Sequence, residues 1–253
     1  MGVHDVAESG FGAAAEDYEK GRPSYPADVV TWLVDRLDIG PGRRVVDLAA
    51  GTGKLTRLLA ATGAELSAVE PVSAMRDKID TTAPGVVALD GTAEDLPFDD
   101  GSIDAVTVAQ AFHWFDAPVA LAEIGRVLRS GGGLGLVWNE RDVREPWVAE
   151  LSRVIRWDER GRWRVPYSLE VDWGARLVEL GGPFSAPERI DSGFRHPMDP
   201  ETLVSRVLST SYVATQTSAE KAALGDRVRE LVAPLGDRFD LPYVTTAWAV
   251  RRR

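Results

Sequence analysis

Three clusters in this chain place residues able to do chemistry at telling spacings. The first is Val45–Thr56, V-V-D-L-A-A-G-T-G-K-L-T. An apolar run closes on Asp47 and Leu48, a turn of small residues covers Ala49–Gly53, and Gly51 and Gly53 let a ligand approach the backbone. The second is Glu70, an acid ending the apolar run Glu65–Glu70, 19 positions after Gly51. At that place a carboxylate can accept both hydroxyls of a ribose. The third is Gln110-Ala111-Phe112-His113-Trp114-Phe115-Asp116, three aromatics and a histidine leaving the end of an apolar strand. Open parallel sheets bind their ligands at that end.

Strand, small-residue turn and helix open a nucleotide-binding unit, and the residues test which nucleotide. A P-loop requires G-x-x-x-x-G-K-[ST]. Here Leu55 follows Gly53-Lys54 and Leu48 occupies the first glycine position, so that motif fails. A dinucleotide site requires G-x-G-x-x-G, and Thr56 stands at the third glycine. Asp47 would also repel a pyrophosphate while attracting an ammonium. S-adenosylmethionine (AdoMet) has an ammonium, a sulfonium and no phosphate. The stretch resembles motif I of the class I AdoMet-dependent methyltransferases, D/E-x-G-x-G-x-G, with Ala49 in place of the first glycine. Gly91-Thr92-Ala93-Glu94-Asp95-Leu96-Pro97-Phe98 resembles the same family's G-x-A-E-x-L-P-F segment. Asp104–Asp116 resembles its motif IV in the branch that methylates small molecules (methyltransferase type 11), where H-W-F-D is shared with trans-aconitate methyltransferase-like enzymes.

The resemblance implies methyl transfer from AdoMet to a small acceptor, an O-methylation of a carboxylate or phenol-type metabolite. It assigns the methionine part of the cofactor to Asp47 and the backbone of Ala49, Ala50, Gly51 and Gly53. Glu70 takes the ribose, with Pro71 and Met75 beside it. Ala93 and Glu94 edge the adenine, and Ala109 and Gln110 flank the methionine end. His113 and Tyr18 are the candidate bases, Arg22 lies in a flap over the cofactor, and Tyr25, Trp114, Asn139 and Arg141 face the acceptor. Arginines suit an acidic substrate, since a guanidinium binds a carboxylate through two parallel hydrogen bonds. Other readings stand beside this one: a non-catalytic AdoMet-binding protein, an AdoMet fold reused for cyclisation, decarboxylation or hydroxylation, and an NAD(P) oxidoreductase.

The elements that must position these residues follow from periodicity and caps. Helices are predicted over Phe11–Tyr18, Ala27–Leu37, Lys54–Ala61, from Pro71-Ser73 onward, Ala117–Leu128 with Gly131–Gly133 as its stop, and Trp147–Ile155. Asp199-Pro200-Glu201 starts another, and Thr217–Glu220 is a capping box before a helix through Val232. Strands are predicted at Arg44–Leu48, Glu65–Glu70, Val86–Leu89, Ile103–Ala109, Leu134–Trp138, Glu188–Phe194 and Tyr243–Val250. The expectation is an α/β fold, a doubly wound Rossmann-like and mostly parallel sheet with a reversed C-terminal strand pair. It forms a single domain over 1–253 with a helical cap drawn from 1–37 and 143–216. Trp157, Trp163, Tyr167 and Trp173 are expected to line an aromatic pocket in that cap.

Composition narrows the function further. The net charge is −10 over 253 residues, which disfavours a nucleic-acid partner, since phosphate binding relies on clustered Lys and Arg. Arg251-Arg252-Arg253 reads as a solvated tail. The absence of cysteine excludes disulfides, thiolate metal sites and cysteine nucleophiles. No metal site is expected, nor a membrane partner, since no signal peptide or long apolar run is visible. A cytoplasmic location follows, with the small-molecule methyl acceptor as partner and no oligomeric state implied.

Overall fold

The computed structural model describes residues 22–155, 171–210, 213 and 216–253. Seven strands are hydrogen-bonded into one sheet, in the order β3-β2-β1-β4-β5-β7-β6. They are β1 (Arg44–Leu48), β2 (Glu65–Val69), β3 (Val87–Leu89), β4 (Ile103–Ala109), β5 (Leu128–Arg141), β6 (Glu188–Met198) and β7 (Phe239–Arg251). β1 to β5 pair in parallel, Asp47 lying beside Ala68 of β2 and Thr107 of β4. The last two strands stand in reversed order, giving the mostly parallel, Rossmann-like sheet that the sequence implied.

The chain divides into two compact units. The larger holds, of the described residues, 24–139, 171–192 and 245–253. Alternation along β1 serves its two faces. Val46 and Leu48 join a core with Leu121 and Ile124 of α4 (Ala117–Val127) and Trp173 and Leu177 of α6 (Trp173–Leu180). Val45 joins another with Val29, Leu33 and Leu37 of α1 (Ala27–Leu37) and Leu59 of α2 (Thr56–Ala60). α3 (Ser73–Thr82) buries Ile79 against Ala68. The smaller unit holds, of the described residues, 22–23, 140–155 and those between 193 and 244. Its core joins Val148 and Leu151 of α5 (Pro146–Val154), Leu203 and Val207 of α7 (Pro200–Leu208), Leu224 and Val228 of α8 (Ser218–Val232), and Leu241 and Tyr243. The predicted capping box is present: Glu220 N–H donates to Thr217 Oγ1 at 3.3 Å and Thr217 N–H to Glu220 Oε2 at 2.9 Å.

Several expectations are corrected. α2 starts at Thr56 instead of Lys54, because the turn continues through Leu55. Val72 is the N-cap of α3, and no side chain caps it. The glycine triplet does not merely stop α4; it lies inside β5, which begins at Leu128. Its smallness serves helix packing: a Cβ on Gly133 would sit 2.7 Å from Leu37 Cδ2, and one on Gly135 2.8 Å from Leu37 Cδ1. α1 therefore presses on the sheet as core, whereas the sequence placed it in a cap. Trp173 is also core: its ring stacks on Trp138 at 5.0 Å and 2°. The C-terminal arginines are tied down. The Arg252 N–H donates to the Gly132 carbonyl at 2.8 Å and the Arg251 guanidinium to Gly131 O at 3.0 Å. Phe11–Tyr18, Trp157, Trp163 and Tyr167 lie outside the described residues.

Candidate active site

The turn after β1 is built on positive φ angles: Ala49 at 53°, Gly51 at 58° and Gly53 at 84°. Two main-chain bonds close it, Ala50 N–H to the Val69 carbonyl at 3.1 Å and Gly53 N–H to the Ala50 carbonyl at 3.0 Å. Gly53 is required twice, since its φ suits glycine and a Cβ there would meet Thr82 Oγ1 at 2.8 Å. A Cβ on Gly51 would meet nothing within 4 Å, so this stretch of backbone faces open space.

Glu70 is 5 % exposed, directly beyond β2. Its Oε2 accepts the Gly51 N–H at 2.8 Å and its Oε1 the Val72 N–H at 2.9 Å. Each carboxylate oxygen offers about two acceptor sites. The backbone bonds aim the group beside the turn. Arg76 of α3 steadies this corner by donating to the carbonyls of Glu70 and Pro71, at 2.6 and 3.2 Å. Met75 is 5 % exposed and packed as core.

Asp47 is placed differently from its expected contact role. It has no exposed surface. Thr56 Oγ1 donates to its Oδ2 at 2.6 Å, and Thr107 Oγ1 to its Oδ1 at 2.9 Å. Burial raises its carboxyl to about 6, against the lowering effect of these hydroxyls and the Thr56 N–H, while the Glu70 charge raises it slightly. Asp47 thus lies buried beneath the turn, braced by the two hydroxyls. Sequence reasoning missed both threonines. The signals were present: Thr107 interrupts the buried apolar strand I-D-A-V-T-V-A, and Thr56 stands where a dinucleotide site has glycine.

The loop after β3 buries Ala93 and turns Glu94 outward, where Oε1 accepts the Asp116 N–H at 2.9 Å. α4 holds this loop from behind. Glu123 accepts the Leu96 N–H at 2.8 Å, and Arg126 donates to the carbonyls of Phe98 and Leu96 at 2.9 and 3.2 Å. Arg126 also bonds Glu123 and so holds its carboxyl below the usual range.

Beyond β4, Ala109 leads into Gln110, a non-glycine residue at φ 60°. A 3₁₀ turn, Phe112–Trp114, follows. Phe112 is buried edge-on to Trp173 at 5.3 Å, which fixes the turn and presents half-buried His113 and Trp114, their rings 5.0 Å apart. Asn139 is corrected from acceptor contact to latch. Its Nδ2 donates to the Ser24 carbonyl at 3.0 Å, its Oδ1 accepts from Thr245 Oγ1 at 2.6 Å, and its carbonyl accepts from Gln110 Nε2 at 3.3 Å. Tyr25 packs on the α1 core. Arg22 and Arg141 belong to the smaller unit. Tyr18 lies outside the described residues. The larger unit thus brings together Asp47, the turn, Glu70, Ala93-Glu94, Ala109-Gln110 and His113-Trp114 at the carboxyl ends of β1 to β4.

Comparison with known proteins agrees with this geometry. Residues 46–136 match the methyltransferase domain family. An uncharacterized methyltransferase of Mycobacterium tuberculosis is 42% identical over 240 residues, covering 93% of this chain and 92% of its own. An uncharacterized methyltransferase-like protein of Schizosaccharomyces pombe is 32% identical over 245 residues and 94% of each chain. Among solved structures, the YcgJ protein of Bacillus subtilis shares the fold with a TM-score of 0.59 at 20% identity, over 90% of this chain and 99% of that one. The chain belongs to the class I AdoMet-dependent methyltransferases, and AdoMet is its cofactor.

Proposed function

We propose that the protein methylates an oxygen of a small acidic metabolite, a carboxylate or a phenol. The observation carrying this reading is the Phe112–Trp114 turn. It holds an imidazole and an indole at the carboxyl end of β4, the strand beside the one that bears the cofactor turn. A small, flat, acidic acceptor matches an aromatic wall with one titratable group.

Bound AdoMet supplies a methyl carbon that is electrophilic without help from the protein. The chain's own contribution is alignment and exclusion of water, and aligned groups reach effective molarities of ~10⁵–10⁸ M. In this reading the open backbone at Gly51 receives the methionine part with Asp47 charged beneath it, Glu70 accepts the ribose hydroxyls, Ala93 and Glu94 edge the adenine, and Ala109 and Gln110 flank the methionine end. A carboxylate is ionised at neutral pH and needs no base. A phenol, with its pKa near ~10, would need its proton taken, and His113 would accept it.

The test incubates the protein with AdoMet and a panel of carboxylic acids and phenols, reading S-adenosylhomocysteine release and product mass. An ester or aryl ether is the expected product. His113→Asn should slow a phenol acceptor by ~10²-fold or more and a carboxylate far less, since general-base assistance contributes ~10²–10⁴. Turnover confined to amines, proteins or nucleic acids overturns the proposal. Among the described residues no helix is long and apolar enough to cross a membrane.

A further inference from the structure

Three groups converge inside the larger unit without touching its surface. Thr56 opens α2, Asp47 sits in β1 and Thr107 in β4, all three with no exposed surface or close to none. Both oxygens of Asp47 are taken by the two hydroxyls, at 2.6 and 2.9 Å. The bridge therefore ties together the helix that follows the glycine turn, the strand before it, and the strand that ends at Ala109 and leads into Gln110 and His113.

A buried carboxylate held by three donors, counting the Thr56 N–H, does more than a neutral brace requires. An amide–hydroxyl pair would join the same elements without the desolvation cost of a charge. What a negative charge adds is a field that acts through a poorly screening interior. The methyl donor and its product differ by one positive charge, since the sulfonium of AdoMet becomes the neutral thioether of S-adenosylhomocysteine. We propose that Thr56 and Thr107 are positioning residues that keep Asp47 ionised beneath the cofactor turn, so that the site favours the cationic methyl donor over its uncharged-sulfur product. The bridge thereby assists product release after each transfer. This inference rests on the reading that the cofactor lies over Gly51–Gly53.

The charged neighbour that acts on Asp47 is Glu70, at the end of β2, and its like charge works against ionisation. Lys54 and Arg57 ride the turn and α2, and His113 follows β4. Imidazoles ordinarily titrate in the window of interest, so the measurement is repeated in a His113→Asn background. The sulfonium makes the ammonium of AdoMet more acidic than that of S-adenosylhomocysteine, so the affinity ratio is corrected with the titration of each free ligand and compared with Asp47→Asn.

The experiment measures dissociation constants for AdoMet and S-adenosylhomocysteine by calorimetry from pH 5 to 8. In the native protein the ratio favouring AdoMet should fall about tenfold from the alkaline to the acid end, as Asp47 takes up a proton. Thr107→Val removes one donor and should move that fall to higher pH, Thr107→Ser should restore it, and Asp47→Asn should make the ratio flat. Thermal melts verify that each variant is folded. If both ligands bind with a ratio independent of pH, or if Thr107→Val superimposes on the native profile, the bridge has no such role and the inference is overturned. If instead binding is absent, or is indifferent to Gly53→Val and Glu70→Gln, the cofactor-site reading itself is overturned.

Discussion

Burying an ionised group without a counter-charge works against folding, and Asp47 carries that burden at neutral pH. Its folded carboxyl titrates near 6, its unfolded one near 3.8. The folded state thus binds the proton more tightly, so this group's contribution to stability is present below pH 4 and is lost as pH rises through 6. Asp47→Asn should therefore stabilise the ligand-free protein at pH 7.5 by about 1–3 kcal/mol while weakening AdoMet binding. Denaturant melts at pH 7.5 and pH 4 check this, because the gain should vanish at the lower pH. Ala49 carries a smaller strain at φ 53°. A left-handed conformation costs a non-glycine residue roughly 1–2 kcal/mol, and the extra freedom of an unfolded glycine offsets roughly 0.4–1 kcal/mol of any relief. Ala49→Gly is expected to raise the melting temperature by about 1–2 °C. A drop would mean that the Ala49 methyl group is held by packing worth more than the strain.

Element geometry explains which parts of the site could be read from the chain. β1, the turn and the acid after β2 were legible because an apolar run, small residues and a carboxylate each follow from local physics. Helix α4 was legible for the same reason, since Asp116 and Pro118 mark its start. What stayed hidden was long-range. The partners of Thr107 and Asn139 come from other strands, 60 and 106 positions away, and no periodicity announces them. From sequence Gly131–Gly133 reads as a helix stop, because the purpose of Gly133 and Gly135, admitting α1, exists only after packing. Gly135→Ala tests that purpose. Its Cβ would crowd Leu33 Cδ2 at 2.9 Å as well as Leu37, and overpacking of this kind costs about 1–3 kcal/mol. A melting curve unchanged by Gly135→Ala would show that α1 yields freely.

Across the whole molecule, opposing titrations shape stability against pH. Burial works to raise the Asp104 carboxyl, but the Arg44 N–H and the Arg129 and Arg43 guanidiniums outweigh it and hold it below the usual range. Glu123 is held low by Arg126. Stability from these two is present above the unfolded carboxylate range and is lost as pH falls through their folded values. With Asp47 acting in the opposite sense, the ligand-free protein should lose stability both as pH falls below the unfolded carboxylate range and as it rises through about 6, and saturating AdoMet should offset the second loss. Thermal scans from pH 3 to 8 check both statements, and Asp104→Asn should flatten the acid limb. The sheet's strand order has a consequence of another kind, for the newborn chain. β6 is hydrogen-bonded to β7 alone, yet residues 199–238 must be synthesised before β7 begins, which takes seconds at roughly 5–20 residues per second. During that wait β6 is an open edge of eleven residues. Arg189, Asp191, Arg195 and Pro197 break it up with charge and a missing donor, as gatekeepers that keep one nascent chain from pairing with the next.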